Sequence, residues 1–420
     1  MTDYKLSFPS LLPRAGRMLK RFPLAAAAAF TILLPACSDD PKPAPDPAPS
    51  EDATSILLYA VASNNLHYDL QDDLAELYSG MEQSKPGEAD VWIYSLDLKE
   101  LPSLRHVVRQ ADGSYSATVV KQYDRSQYST DPERISQVIS DYTALSPAAQ
   151  RGIIFWSHAT GWQPDFNDHV VPESSENRRP QSAYNAGQVN YSYGADQYLG
   201  TTDSCDIIEL NEAIPSGTFD FIWFDCCYMS SIEVIYQLRD KASHIVAYPT
   251  EVASEGMPYN LTIPYLARRD YDLTGAASAM SQYFLDRSQV VTIAVIDTSH
   301  LPELARVAET AVGGQRLSMV KLQRYSRSPN GPFLDFGQYT RTWGANRPDA
   351  GWDEAAFTRA LDATVIYKAA SDYGFDGRTI LPENFSGISC HYFYDDESEK
   401  AEYYKKLDWF KVVYPRYTED

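Results

Sequence analysis

The sequence predicts an α/β fold in which a mostly parallel central sheet is covered by helices. From residue 55 onward, short apolar runs recur along the chain and stretches with helical spacing separate them. Continuous apolar runs are typical of strands buried on both faces, and parallel strands need crossover connections that are usually helical. The chain can also fill a large core, because 44% of its 420 residues are apolar and 13% are aromatic.

The apolar runs predict strands at 56–62, 91–96, 153–157, 219–224, 245–248 and 290–296. The helical stretches are 66–81, a helix that starts at 131–133, and 232–238, 276–286, 301–311 and 352–361. In the first helix, Leu70, Leu74 and Leu77 follow the three-to-four spacing of one buried face. A strand-like run at 387–394 indicates that the last hundred residues form either a small subdomain or extra edges of the sheet. The polar stretch 163–206 interrupts the pattern, and a loop of that length is usually functional or disordered.

The N-terminus has the pattern of a bacterial lipoprotein signal. Five basic residues precede an apolar stretch at 22–36 that is too short to span a bilayer, which predicts a signal peptide at 1–36. The stretch ends in Leu-Pro-Ala-Cys, which resembles a lipobox and predicts that Cys37 carries lipid. The alternative is an ordinary secretory signal in which Cys37 is incidental.

Residues 37–54 are predicted to be a tether. Alternating prolines make this segment stiff and extended, and two acidic residues follow closely on Cys37, as in surface-export signals of Bacteroidetes-type lipoproteins. We therefore expect an outer-membrane lipoprotein in the cell envelope, surface-exposed or periplasm-facing, whose membrane contact is the lipid anchor. The remaining chain is divided into a main domain at 55–318 and a C-terminal extension at 319–420.

The chain is strongly acidic, with 36 Lys and Arg against 57 Asp and Glu and a formal charge of −21. Removal of residues 1–36 would leave a charge of −25, since that segment carries five basic residues and one acid. Such a surface repels phosphates, so nucleic-acid binding is not expected, and it attracts basic peptide segments.

Two strand ends carry residues suited to chemistry. His158 follows the predicted strand 153–157, and Cys227 follows the strand 219–224 just before a helix. The carboxyl ends of parallel strands meet at one edge of a sheet, so the two side chains can converge as base and nucleophile. A thiol near a helix N-terminus would also have a lowered pKa.

Asp225 precedes Cys227 by two residues, so an extended backbone would place both side chains on one side of the sheet. A carboxylate at that position suits the floor of a pocket for a substrate Arg or Lys. The alternative is that Asp225 caps the following helix.

Both segments resemble motifs of the clostripain family of cysteine peptidases, peptidase family C11. The family's Ser-His-Gly-x-Gly-Trp is similar to 157–162 here, and its Phe-Asp-Ala-Cys-Leu-Met-Gly-Ser-Val-Glu is similar to 224–233. This chain departs from the pattern at Ala159, Tyr228 and Ser230, where the family has Gly, Leu and Gly. The resemblance covers about residues 55 to 310, and its second motif aligns the family nucleophile with Cys227.

The resemblance implies a caspase-like α/β/α sandwich and a Cys227–His158 dyad that hydrolyses peptide bonds after Arg or Lys. Asp225 is then expected to bind the basic side chain, with Glu251 and Glu255 as further contributors. The family often matures by self-cleavage between the two motifs. Arg178 and Arg179 lie there, but Pro180 disfavours a cut after Arg179, leaving Arg178 or a distant residue such as Arg151.

No cofactor is required for this chemistry, although calcium dependence is known in the family. The main alternative is an inactive homologue that binds basic peptides at the cell surface. A metalloprotein has little support, because the histidines occur singly and no HExxH or CxxC spacing is present.

Overall fold

The computed structural model of the chain describes residues 53–85, 87–96, 101–163, 192–312, 322–325, 333–346, 351–393 and 398–415. The predicted signal peptide, Cys37 and nearly all of the predicted tether lie outside these ranges. In the part that is described, no helix is both long enough and apolar enough to cross a membrane.

The strands follow the chain as β1 (Thr54–Val61), β2 (Ala89–Leu96), β3 (Ser103–Arg109), β4 (Tyr115–Gln122), β5 (Gln150–Trp156), β6 (Tyr193–Asp196), β7 (Asp203–Cys205), β8 (Phe219–Asp225), β9 (Ala242–Ala247), β10 (Thr292–Asp297), β11 (Phe333–Asp335), β12 (Val365–Ala370) and β13 (Ser389–His391). Nine of them form one sheet in the order β12-β10-β9-β8-β5-β1-β2-β3-β4. The central strands from β9 to β2 are parallel, and antiparallel strands extend the sheet at both sides.

The helices are α1 (His67–Glu82), α2 (Pro132–Leu145), α3 (Ile207–Ala213), α4 (Ile232–Gln237), α5 (Tyr259–Leu266), α6 (Leu273–Leu285), α7 (Leu301–Val312), α8 (Phe336–Ala345), α9 (Glu354–Thr364), α10 (Glu399–Tyr404) and α11 (Asp408–Val413). Contacts divide most of them into two layers: α1, α5 and α6 pack together, as do α2, α3, α4, α7, α8, α9 and α11. Every residue of β1 is buried between these layers. The α/β/α sandwich predicted from the sequence is therefore confirmed.

All six predicted strands are present, as β1, β2, β5, β8, β9 and β10. The hairpin β3–β4 was missed because β4 lies at the sheet edge with mostly exposed or half-buried side chains, so its sequence has no long apolar run. The short helices α3, α5, α10 and α11 were missed as well, since six to eight residues give little periodicity to detect.

The last hundred residues contribute to the main sheet, because β12 pairs with β10 as the outermost strand. They also form the small sheet β11–β13, and Ser389 N donates to Ser230 O at 2.8 Å in the segment that follows β8. The predicted boundary between 318 and 319 lies outside the described residues.

Candidate active site

The site forms where β5 and β8 end side by side. The two strands are parallel neighbours in which Trp156 pairs with Asp225. His158 and Cys227 each follow these paired residues by two positions. The register therefore brings the two candidate catalytic residues to the same edge of the sheet, as the sequence predicts.

The sequence predicts that a helix starts just after Cys227, but in the structure several residues separate Cys227 from the next helix. Helix α4 begins only at Ile232, and its N-terminal cap is Ser231, whose side chain accepts from Val234 N at 3.4 Å. Cys227 therefore does not lie at a helix N-terminus, and the expected lowering of its pKa by a helix is not found. Asp225 does not cap α4 either, so that alternative was wrong.

The thiol of Cys227 is buried, with 3% of the residue exposed. Burial raises its pKa to about 12, and the negative charges of Glu251 and Asp225 act in the same direction. The Val252 amide opposes this by donating to Sγ at 3.3 Å. In this conformation Cys227 is a neutral thiol, which would have to lose a proton to act as a nucleophile.

His158 is 7% exposed, and burial lowers its pKa to about 4, so the imidazole is neutral at physiological pH. Its Nε2 lies 2.8 Å from Asn65 Oδ1. An amide oxygen can only accept, so Nε2 carries the proton and Nδ1 is the basic nitrogen. Asn65 therefore fixes the tautomer of the candidate base.

The carboxylate of Asp225 is held by α5 and the turn before it. Its Oδ2 accepts from Met257 N at 3.1 Å and from the Tyr259 hydroxyl at 3.0 Å. Its Oδ1 is buried and has no hydrogen-bond partner among the residues that the structure describes. Burial raises the pKa of this carboxyl group, partly offset by the two donors.

The turn at 252–257 lies over both functional groups, since Val252 N contacts the thiol and Met257 N contacts Asp225. Glu251 is buried and close enough to raise the pKa of Cys227. Glu255 is exposed at the middle of the turn. The two glutamates thus lie in different environments, with Glu251 nearer to the thiol.

The structure accommodates each of the three residues that depart from the family pattern, Ala159, Ser230 and Tyr228, in a different way. Ala159 does not have a left-handed φ, so a side chain at this position adds no backbone strain. Ser230 is buried and donates to Gly387 O at 2.7 Å. Tyr228 has a left-handed φ of 63°, and its ring stacks on Phe333 with centroids 4.8 Å apart. That stacking compensates part of the strain at a non-glycine residue.

Gly161 retains the glycine of the family pattern for a steric reason. Its φ is 78°, and a Cβ atom there would lie 3.0 Å from Tyr228 O and 3.0 Å from the Phe333 ring. The turn after His158 is therefore packed directly against the backbone that follows Cys227.

Arg178 and Arg179 lie outside the described residues. Arg151, the distant alternative for self-cleavage, lies within β5, where its register partner in β1 is Ser55. Cleavage there would break a central strand of the sheet, so Arg151 is not a suitable processing site. The described residues gather no group of three or more His, Cys, Asp or Glu that could hold a metal ion.

Sequence reasoning missed Asn65, Asp73 and Trp156. Asn65 had a usable signal, because it follows the strand β1 and so lies at the same sheet edge as the other strand ends. Asp73 lies on the buried side of the amphipathic helix α1, where a carboxylate is unusual. The hydrogen bond from Tyr259 to Asp225 was not predicted either, since only the fold brings α5 under Asp225.

Comparisons with known proteins bear on the family and the fold of the chain. Residues 58–414 match the sequence model described as Clostripain family, Peptidase_C11. No curated protein matches the chain. A secreted C11 cysteine protease from Bacteroides thetaiotaomicron, solved with an irreversible peptide inhibitor, superposes with a TM-score of 0.70 at 23% identity, covering 86% of this chain and 99% of that one. An inactive zymogen C11 protease from Parabacteroides distasonis gives a TM-score of 0.70 at 26% identity, covering 88% of this chain and 99% of its own.

Proposed function

The chain belongs to the clostripain family of cysteine peptidases, and from this premise we propose that it is an endopeptidase that cuts peptide bonds after Arg or Lys. The observation that carries the proposal is the carboxylate of Asp225. It is buried two residues before Cys227, and its Oδ1 has no hydrogen-bond partner in the described part of the chain. A buried carboxylate oxygen without a donor is costly, and a substrate cation would supply the missing donor.

In the proposed reaction, Cys227 Sγ attacks the carbonyl carbon of the residue that carries the basic side chain. Neutral His158 takes the thiol proton on Nδ1 while Asn65 holds the opposite nitrogen. The protonated imidazole then donates to the leaving amine as the C–N bond breaks and a thioester remains. Water, deprotonated by His158, hydrolyses the thioester and returns the thiol.

Backbone N–H groups are the proposed donors to the oxyanion of the tetrahedral intermediate. The candidates are the amide of Cys227 and those of the turn after His158. The tight packing of Gly161 against Tyr228 O supports this assignment, because it holds the two segments together.

A peptide panel tests the function. Fluorogenic peptides with Arg, Lys, Asp or Asn before the cut are assayed on wild type and Cys227→Ala, with and without calcium. We expect cleavage after Arg and Lys alone, lost in Cys227→Ala. Equal turnover by that variant would refute the mechanism, and cleavage after Asp or Asn would refute the specificity.

An alternative is a surface protein that captures basic peptides without cutting them. The observation that favours it is electrostatic: the pKa of Cys227 is raised to about 12 and that of His158 is lowered to about 4, so neither is ionised in this conformation. Binding of a Lys or Arg peptide with unchanged mass of both peptide and protein would support this alternative.

We also propose display from the cell envelope through lipid on Cys37 and maturation by a cut after Arg178. Both proposals depend on sequence alone. Mass spectrometry of membrane-extracted protein tests the first, with Cys37→Ser as the variant that should become soluble. A single intact band in active wild-type protein would refute the second.

A further inference from the structure

We propose that Asp73 is a second carboxylate of the site that receives the basic side chain, and that the pair Asp73 and Asp225 makes this site prefer Arg to Lys. The inference rests on the proposed function, in which Asp225 binds the substrate cation. It adds a residue from a different element, since Asp73 lies on α1 and Asp225 ends β8.

Both carboxylates face Gly256. A Cβ atom built on Gly256 would lie 3.1 Å from Asp225 Oδ2, 3.5 Å from Asp225 Oδ1 and 3.4 Å from Asp73 Oδ2. The two acids therefore line one small region beneath the turn 252–257. Gly256 has a φ of 61° and no side chain, so the backbone can lie directly over them.

Asp73 is fixed in place by the sheet. It is 3% exposed, and its Oδ2 accepts from the indole Nε1 of Trp156 at 2.7 Å. Trp156 is the strand partner of Asp225, so the two carboxylates are attached to neighbouring positions of the same sheet edge. The hydrogen bond to Trp156 and the strand pairing of Trp156 with Asp225 therefore fix the relative position of the two carboxylates in the absence of substrate.

Among the described residues, no buried Lys or Arg side chain pairs with the carboxylates of Asp73 and Asp225. Within the described ranges Asp225 Oδ1 has no donor, and the charges that act on Asp73 there are those of Asp225, Glu76 and Asp69, which are all acidic. Burial and these like charges raise the pKa of Asp73. A cation between the carboxylates would remove the repulsion and satisfy the open oxygen.

The shape of the site favours a guanidinium group. Arg presents five N–H donors in a planar fork and can hydrogen-bond two carboxylates at once, whereas the Lys ammonium is a compact, strongly hydrated charge. Because a methyl group on Gly256 would already touch both acids, the turn 252–257 must move aside as the side chain enters. The Met257 amide is the donor on Asp225 Oδ2 that the guanidinium would replace.

The test compares Asp73→Asn with Asp72→Asn, an exposed neighbour on the same helix that loses the same charge. Peptidyl coumarin amides that differ only in Arg or Lys before the coumarin are assayed on each protein. We expect Asp73→Asn to lower kcat/KM for Arg by about ten- to a hundredfold, the range for a hydrogen bond to a charged group, and for Lys by much less. Asp72→Asn should leave the ratio of Arg to Lys activity unchanged.

That ratio is measured on one preparation, so it does not depend on the fraction of folded enzyme. Trp156→Phe provides a second variant, which keeps Asp73 but removes its donor, and should shift the ratio in the same direction by a smaller factor. An unchanged ratio in Asp73→Asn overturns the inference while leaving the proposed function intact. If wild type cleaves after neither Arg nor Lys, the proposed function fails and the inference fails with it.

Discussion

Asn65 Oδ1 accepts a hydrogen bond from His158 Nε2 at 2.8 Å, although Asn65 follows β1 and His158 follows β5. The two strands are adjacent and parallel, so their ends converge. This contact holds His158 in the tautomer whose Nδ1 can act as base.

Asn65→Ala is therefore expected to lower kcat by about ten- to a hundredfold, because the imidazole loses its fixed orientation and tautomer. KM should change little, since Asn65 does not contact Asp225 in the structure. Asn65→Asp, which keeps an acceptor for Nε2, should retain more activity than the alanine variant. Steady-state kinetics on a Lys or Arg peptide measures both, and an unchanged kcat in Asn65→Ala would contradict the positioning role.

The protonation state of Cys227 predicts its reactivity. With its pKa near 12, the thiol is almost fully protonated at pH 7, and each unit of rising pH increases the thiolate about tenfold until the pKa is approached. Iodoacetamide should thus label Cys227 in the ligand-free protein slowly at pH 7 and much faster at pH 10, with Cys227→Ala as the background.

Glu251→Gln serves as the matched variant for this measurement. It removes a negative charge that raises the pKa of Cys227, so labelling at a given pH should become faster. A labelling rate that is already at its plateau at pH 7 would show that the thiolate exists in the free enzyme.

Gly161→Ala should disrupt the junction between the two motifs. The residue has a φ of 78°, and the added methyl group would meet Tyr228 O at 3.0 Å. We expect a loss of about 1–3 kcal/mol in the free energy of unfolding, together with reduced activity. Ala159→Gly is the control, because Ala159 does not have a left-handed φ. Urea unfolding compares them, and equal stability of Gly161→Ala and wild type would refute the packing argument.

The raised pKa of Glu233 should make the free energy of unfolding depend on pH. This residue of α4 is fully buried; its Oε1 accepts from His391 N at 2.8 Å and from the Tyr404 hydroxyl at 2.9 Å, and burial raises its pKa to about 7. The folded state therefore binds the proton more tightly than the unfolded state. The stability from this group is present below its unfolded pKa near 4.5 and is lost as pH rises through about 7.

Glu233→Gln should remove this pH dependence. Between pH 5 and pH 8 the wild type should lose up to about 3 kcal/mol relative to the variant. Urea unfolding of both proteins at the two pH values measures the difference. A wild-type protein that gains stability relative to the variant at pH 8 would contradict the assignment of a protonated, buried Glu233.

The parts of the fold and site that sequence could predict are those encoded within one segment. Apolar runs identified β5 and β8, and their end residues identified His158 and Cys227, because strand direction alone places them at one edge. The C-terminal edge strand β12 was missed, since its exposed and half-buried residues alternate without a long apolar run.

The features of the site that depend on contacts between distant segments could not be predicted from the sequence. Asp73 lies more than a hundred residues from Asp225, and only the packing of α1 beside α5 brings them together. The expected lowering of the Cys227 pKa by a helix N-terminus was not found, because burial depends on the turn 252–257 and the start of α4 depends on Ser231. Local sequence contains neither fact.

The central claim is that Cys227 is the nucleophile beside a site for basic side chains. The most direct measurement is active-site labelling with a peptidyl acyloxymethyl ketone carrying Arg, followed by peptide mapping, with a norleucine analogue as control. The account predicts one adduct, located on Cys227, formed much faster by the Arg reagent than by the norleucine reagent and lost in Asp225→Asn. An adduct on a different cysteine, or equal rates for the two reagents, would contradict it.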